Sequence, residues 1–541
     1  MDKANLWDMQ EKFRWALLVA GAVLFALPIL LPQLGILQWV ALIPALSAIL
    51  PAVTDPTRRL RGLYGMGFVF FFCFYLPNFH WFLYLYPLDF AGMDNLTSIF
   101  VVMLAWVGLS AFQAIGGALL FPFLALMTRN RYVARMPVLV PLLFAALWTV
   151  WEWFQAHSGW AGVPWARLAL GQVDMGVTVQ SAAYLGSYFV AFILVAVNGL
   201  LAYLVLYPSR KRLCTILACS LFLGNVVLGG VRLLTYRDEE DTVKIAAIQG
   251  NLSSHDDYAL GAVAAAKAVY GEYTREAAAA GADIIVWPET ALVVSLDSSP
   301  ATRQFVKSLA VECGTPIIVG AFTDAEADGA LYNSMVVALP DGTLHDVVYN
   351  KQNPVPFGEF VPWRDLIMTV VPPLGEIAML SDDIPAGEDS VVFELDHATV
   401  GSVICFDSIY EDNTLESVKN GAEVLCVSTN DSWFRDSRGV WMHNAQSQLR
   451  AVETGRYVVR AAITGVSSVI TPTGEITEKL DPYLGGYVMD EVHLNRTLTP
   501  YTVIGNAFVY LCAAVLVLSA CVSAVEGITA RRRRASDEKT S

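Results

Sequence analysis

A chain of 541 residues is too long for one ordinary core, so at least two structural units are expected. Its composition is 55% apolar and only 16% charged, which excludes a wholly soluble protein. The formal net charge of −15 is concentrated in residues 236–500, where acidic side chains outnumber basic ones more than two to one. Nucleic acid, which needs a basic face, is excluded as a partner.

A bilayer core takes roughly 20 apolar residues per helix. Seven such blocks precede the acidic region, at about 15–31, 34–50, 63–85, 99–126, 138–153, 184–206 and 213–231, and an eighth follows at 503–525. The first block has no small-x-small cleavage site behind it and further spans follow directly, so it reads as a retained helix. Positive charge falls in every second loop. Lys3, Lys12 and Arg14 precede the first span. Arg58, Arg59 and Arg61 lie between the second and third, Arg129, Arg131 and Arg135 between the fourth and fifth, and Arg210, Lys211 and Arg212 between the sixth and seventh. Arg531 to Arg534 follow the last, whereas the alternate loops are neutral or acidic. By the positive-inside rule both termini are cytoplasmic and the acidic region lies on the other side of the membrane. The expected organisation is spans one to seven in 1–235, an extracytoplasmic unit in 236–500, an eighth span in 501–527 and a basic tail in 528–541. Trp151, Trp153, Trp160 and Trp165 cluster at the outer end of the fifth span, where Trp anchors at interfaces.

Inside 236–500, short apolar runs alternate with helical stretches, the pattern of a layered α/β fold. Strands are expected at 243–249, 284–287, 317–321, 334–339, 401–405 and 424–428, and helices at 263–280, 301–313 and 440–454. Turn signals Pro340-Asp341-Gly342 and Pro472-Thr473-Gly474 mark hairpins. The eight cysteines show neither CxxC pairs nor metal-ligand spacing, so no zinc site or disulfide framework is indicated.

Three polar residues stand at the ends of apolar runs: Glu289 after Ile284 to Pro288, Lys351 after Asp346 to Asn350, and Cys405 after Val400 to Ile404. Strand ends of α/β sheets are where loops converge on a ligand. A carboxylate, an ammonium and a thiol suffice for thiol-based acyl transfer. The carboxylate takes the thiol proton, the thiolate attacks a carbonyl, and the cation stabilises the oxyanion. The plainer alternatives are a buried packing cysteine and a structural Glu289–Lys351 ion pair.

The wording of these segments resembles the nitrilase superfamily: Trp287-Pro288-Glu289-Thr290-Ala291, then Tyr349-Asn350-Lys351 leading into Pro356-Phe357-Gly358-Glu359-Phe360-Val361-Pro362, then Ile404-Cys405-Phe406-Asp407, in the family's order. Ser428 to Phe434, His443, Arg450, Glu453 and Arg456 continue the likeness. More narrowly, the chain resembles the apolipoprotein N-acyltransferases, which carry this unit between a seventh and an eighth span. Ile248-Gln249-Gly250-Asn251 and Gly162-Val163-Pro164-Trp165 also look like that family. Phe406 and Asp407 stand where those enzymes usually have Tyr and Glu, and Ile463 replaces an expected polar residue.

The resemblance implies an eight-helix membrane domain joined to an αββα sandwich in a bacterial inner membrane, with no metal or cofactor. It implies that Cys405 takes an acyl chain from a phospholipid and passes it to the α-amine of a diacylglyceryl-cysteine on a lipoprotein. Glu289 would be base and acid, Lys351 the oxyanion partner, and Glu359, Asp407 and Phe406 supports. Trp287, Trp433, Phe434, Trp441, Val370 and Val371 are the substrate-binding or lid candidates, the last two within the apolar stretch 366–374. Two other readings use the same residues: a membrane-tethered carbon–nitrogen hydrolase with water as acceptor, and a non-catalytic lipid-binding scaffold.

Overall fold

The computed structural model of the chain describes residues 3–88, 92–207, 209, 211–252, 261–325, 329–370 and 383–540. Among them, eight helical stretches are long and apolar enough to cross a bilayer: Lys12–Leu30, Pro32–Thr54, Leu60–Asn78, Asn95–Thr128, Leu139–His157, Ser187–Leu206, Lys211–Thr235 and Ala507–Ala530. Three depart from the blocks expected from sequence, the fourth being interrupted between helices Asn95–Gly117 and Leu120–Thr128. The second is broken into a 3-10 segment, Pro32–Trp39, and an α-helix, Ile43–Thr54. Asn198 of the sixth span closes the break, donating to the Gln38 carbonyl at 2.9 Å and accepting from the Leu42 amide at 3.0 Å. Backbone groups freed inside a membrane need such partners. The third helix stops at Asn78, next to Pro77, and the chain turns into a 3-10 segment, His80–Leu85, instead of continuing to 85.

Residues 242–493 form two sheets. In the first, β1 (Thr242–Gln249) runs parallel to β2 (Ile284–Val286), which neighbours β4 (Ile317–Asp324). β3 (Leu292–Ser295) pairs with β4, followed by β5 (Leu331–Ala338) and β6 (Tyr349–Asn350), while β13 (Gly486–His493) lies antiparallel to β1. The second sheet runs from β7 (Val392–Glu394) through β8 (Thr399–Ile404), β9 (Val424–Thr429), β10 (Val458–Ala462) and β11 (Ser467–Ile470) to β12 (Ile476–Leu480). β8, β9 and β10 are parallel. Only its last two residues make the run 346–350 a strand.

Alternation along the strands sorts their side chains into layers. Ile245, Ala247, Val286 and Ile318 meet Val400, Ile404, Cys426 and Val459 between the sheets. Ala246, Ile248, Ile285 and Trp287 turn outward onto helices Ala262–Ala279 and Pro300–Cys313. Val403, Leu425 and Val427 face helices Glu411–Lys419 and Gly439–Thr454. The architecture is an αββα sandwich on a bundle of apolar helices.

Helix Gly439–Thr454 is buried on both sides. Ala451 packs on the second sheet, while Val440, Met442, Ala445, Leu449 and Val452 join the apolar core of the membrane helices. The helix ends that reach the sandwich include Leu30, whose carbonyl accepts from Arg438 at 3.0 Å, and Trp81, whose ring meets Phe434. At the other end Thr128 donates to the Val53 carbonyl, and Arg131 pairs with Glu526 at 2.9 Å. Glu526 lies nineteen residues beyond Ala507, or about 28 Å along an α-helix.

Candidate active site

The parallel strands deliver their C-terminal ends to one place. Glu289 follows β2, Lys351 follows β6 and Cys405 follows β8, while Asn333 comes from β5 and Asn430 from the end of β9. Lys351 is 1% exposed, with its ammonium 2.8 Å from Glu289 Oε1 and 2.8 Å from Glu359 Oε2. Asn333 Nδ2 bridges the two carboxylates, donating to Glu289 Oε1 at 2.8 Å and Glu359 Oε1 at 3.0 Å. The Asn430 amide donates to Glu289 Oε2 at 2.8 Å, and the Val355 amide to Glu359 Oε2 at 2.7 Å. Both carboxylates are thus fixed in place.

Glu289 owes its location to a missing side chain on the neighbouring strand. A β-carbon on Gly320 would lie 2.0 Å from the Pro288 carbonyl oxygen and 2.9 Å from Glu289 Cα. Only glycine lets the Trp-Pro-Glu segment cross β4 this closely.

Cys405 occupies the left-handed region, with φ 48°, where a residue bearing a β-carbon is strained. It ends β8 and opens a 3-10 turn, Cys405–Ile409. Its carbonyl accepts from Ser408 Oγ at 2.7 Å and lies 3.1 Å from His443 Nε2. His443 Nδ1 stands 2.8 Å from Asp431 Oδ1, and Arg460 donates to Asp431 Oδ2 at 2.7 Å.

The charges of the site act on one another. Burial pushes the Cys405 thiol up and the Glu289 carboxylate adds to that, with Lys351 opposing. Burial alone would pull Lys351 down, but Glu289 and Glu359 hold it well above the ordinary lysine range. Burial likewise opposes the Asp431 carboxylate, yet Arg460 and His443 keep it well below the usual carboxylate range. Burial and the Arg460 charge pull His443 below the ordinary histidine value, with Asp431 opposing. A thiol within electrostatic reach of a carboxylate and a fixed ammonium can give up its proton as a substrate carbonyl is attacked.

The remaining expected residues divide. Asp407 lies within electrostatic reach of Lys351, but its oxygens bond to the loop after that residue. It is fully buried and accepts from the Asn353 amide at 2.7 Å, Tyr349 Oη at 2.8 Å and Asn353 Nδ2 at 3.0 Å, tying the chain after Lys351 to the Cys405 turn. Burial pushes its pKa up, against the Lys351 ammonium and these bonds. Phe406 lies edge-on to Tyr410, and both pack against the membrane helices. Trp287 is not a substrate contact: its ring is fully buried behind the first sheet, stacked on Tyr270, with Nε1 donating to Thr274 at 2.9 Å. Phe434 is also buried, wedged among Trp81, Trp165 and His443. Trp165 is therefore a junction residue, 1% exposed, and not an interfacial anchor. Trp441 projects from its helix about 200° from His443 and lies under the Lys479 ammonium, away from the triad. Trp433 sits in the 3-10 turn Asp431–Phe434. Val370 ends helix Arg364–Val370, and Val371 lies outside the described residues. In front of that helix, Trp363 is 65% exposed and meets Trp160 of the membrane part at 4.7 Å between centroids.

Asn333 and Asn353 were missed from sequence, and Asn430 was read only as part of the Ser428 to Phe434 likeness, with no role of its own. The only signal for Asn333 was a polar pair, Asn333-Ser334, at the start of the apolar run to Ala338.

Residues 244–497 match the family model for carbon-nitrogen hydrolases, and 21–200 match that for the apolipoprotein N-acyltransferase N-terminal domain. Fold and site together define a membrane-embedded enzyme built on a carbon–nitrogen hydrolase unit. Apolipoprotein N-acyltransferase of Gloeobacter violaceus is 30% identical over 497 residues, covering 90% of this chain and 89% of the relative. That of Geobacter metallireducens is 26% identical over 519 residues, covering 94% and 95%. The chain belongs to the apolipoprotein N-acyltransferase family and is a bacterial membrane acyltransferase. Among solved structures, Saccharomyces cerevisiae Nit3, of the nitrilase superfamily, aligns with TM-score 0.38 and 18% identity, over 47% of this chain and 90% of its own.

Proposed function

We propose that the enzyme moves an acyl chain from a membrane phospholipid to the α-amine of a lipoprotein's diacylglyceryl-cysteine through a thioester on Cys405. The observation that carries this reading is Lys351 clamped between two fixed carboxylates beside a thiol on a strained strand end, in a turn packed against the membrane helices.

Glu289 takes the Cys405 proton as the sulfur attacks the donor's ester carbonyl, and the Lys351 ammonium stabilises the oxyanion. Collapse breaks the ester bond. Glu289 returns the proton to the leaving alkoxide, and a lysophospholipid departs. The acceptor amine then attacks the thioester and gives a proton to Glu289; the C–S bond breaks, and Glu289 passes that proton to the sulfur, restoring the thiol. Glu359 and Asn333 hold Lys351 and Glu289 in register, and Asp407 holds the Cys405 turn. The exchange is ping-pong.

We read residues 1–235 and 501–527 as lying in the bilayer, 236–500 as the periplasmic unit, and both termini with the 528–541 tail as cytoplasmic. The basic loop around Arg131 at the helix ends away from the sandwich supports that orientation. Trp363 and Trp160 form an exposed aromatic pair suited to the membrane surface.

Product analysis tests the reading. Purified enzyme with phospholipid and a diacylglyceryl-cysteine peptide should yield lysophospholipid and N-acylated peptide in equal amounts. Free fatty acid with unmodified peptide would instead establish the hydrolase alternative.

A further inference from the structure

The turn that carries Cys405 belongs to two cores at once. Ile404 is buried between the sheets of the sandwich, whereas Ile409 is fully buried in the apolar core of the membrane helices, with Phe406 and Tyr410 packed against it. The polar anchors divide at the same place. Asp407 and Ser408 bond within the catalytic unit, while the next three residues are gripped from the membrane part.

Arg167 makes most of that grip. It sits in the loop after the fifth span, 1% exposed. One terminal nitrogen donates to Glu411 Oε2 at 2.5 Å and to the Ile409 carbonyl at 3.3 Å; the other donates to Ser187 Oγ at 3.2 Å. Its guanidinium lies 4.9 Å from the centre of the Tyr188 ring. Tyr188 donates to Glu411 Oε1 at 2.5 Å, and Tyr410 to the Gly162 carbonyl at 3.2 Å. Behind them Arg450 pairs with Glu453 at 2.9 Å, so two guanidinium groups face two carboxylates, each at most 1% exposed. Glu453 in turn accepts from the Ser187 amide at 2.9 Å.

We propose that Arg167 is a positioning residue of the transfer reaction: from the membrane part it fixes the turn bearing Cys405, so that nucleophile geometry depends on the docking of the two parts. The inference rests on Cys405 being the nucleophile. A planar fork that satisfies the last carbonyl of the turn and a carboxylate two residues on, while bonded to the sixth span, does what a point charge cannot. Displacing a reacting atom by about 1 Å is enough to slow catalysis about 100-fold.

The test uses the full-length enzyme in micelles with phosphatidylethanolamine as donor. Arg167→Lys keeps the charge and loses the fork. Arg167→Met with Glu411→Leu removes the ion pair without stranding either charge, which preserves stability at many buried pairs. Both should elute as folded protein with the donor KM within about twofold of wild type, while kcat and the rate of Cys405 alkylation by iodoacetamide fall together by about 10- to 100-fold. If either variant fails to fold, Tyr188→Phe, which keeps the ion pair, should still lower both rates severalfold. A merely structural role would lower Tm and leave the rates of the folded fraction unchanged. Folded variants with kcat and alkylation within threefold of wild type would overturn the proposal. Absence of acyl transfer in the wild type would instead defeat the functional reading, and the alkylation rates would still decide the role of Arg167.

Discussion

Replacing Lys351 by Met separates the electrostatics of the site from its shape, because Met is unbranched and close in length. In the wild type one ammonium faces Glu289 and Glu359, each 2.8 Å away, with all three side chains no more than 15% exposed. Without it, two carboxylates remain, joined through Asn333. Stranding one partner of a buried ion pair costs about 3–5 kcal/mol. For a unit of this size that is a fall in Tm of roughly 6–20 °C. Loss of the oxyanion partner should lower kcat a further 100- to 1000-fold, on the order of 3–4 kcal/mol. Thermal unfolding in detergent measures the first loss and steady-state turnover the second. A Tm within about 3 °C of wild type, or more than a tenth of wild-type kcat, would refute the reasoning.

Gly320→Ala should displace Glu289, since the added methyl meets the Pro288 carbonyl; kcat is expected to fall about 100-fold in steady-state assays. Asp407→Asn places an amide N–H₂ against at least two of the donors that now bond a carboxylate, at a cost of about 1.5–3 kcal/mol each, measurable as lowered Tm with slower Cys405 alkylation. Burial raises the Glu411 pKa but Arg167 and Arg450 overcome it, holding it at about 2. A depressed carboxylate stabilises above its unfolded pKa and loses that contribution as pH falls through the folded one, so the wild type should weaken between about pH 4.5 and 2, by on the order of 3 kcal/mol. Glu411→Gln should flatten that part of the Tm–pH curve.

The three candidate catalytic residues were legible because each directly follows an apolar run and sits in a distinctive motif. The long apolar helices were legible from their length alone. Trp287 shows where a motif misleads. Val286 points between the sheets, so the next residue points the other way, and the ring belongs to the outer core. Strand alternation carried that information, but its placement beside Glu289 hid it. Phe434 and Trp165 read as surface aromatics because the burial that claims them exists only once the sandwich docks on the helices. Arg167 and Glu411 meet across 244 positions of chain, a pairing no local pattern encodes. The interrupted second span was hidden for a related reason: Asn198, which completes it, lies four spans later in the chain.

The most direct measurement is the intact mass of the purified enzyme after incubation with phospholipid alone. One fatty-acyl increment should appear on Cys405, be released by hydroxylamine or by a diacylglyceryl-cysteine peptide, and be absent from Cys405→Ala. Steady turnover with no adduct on Cys405, or an adduct that persists in Cys405→Ala, would contradict the account.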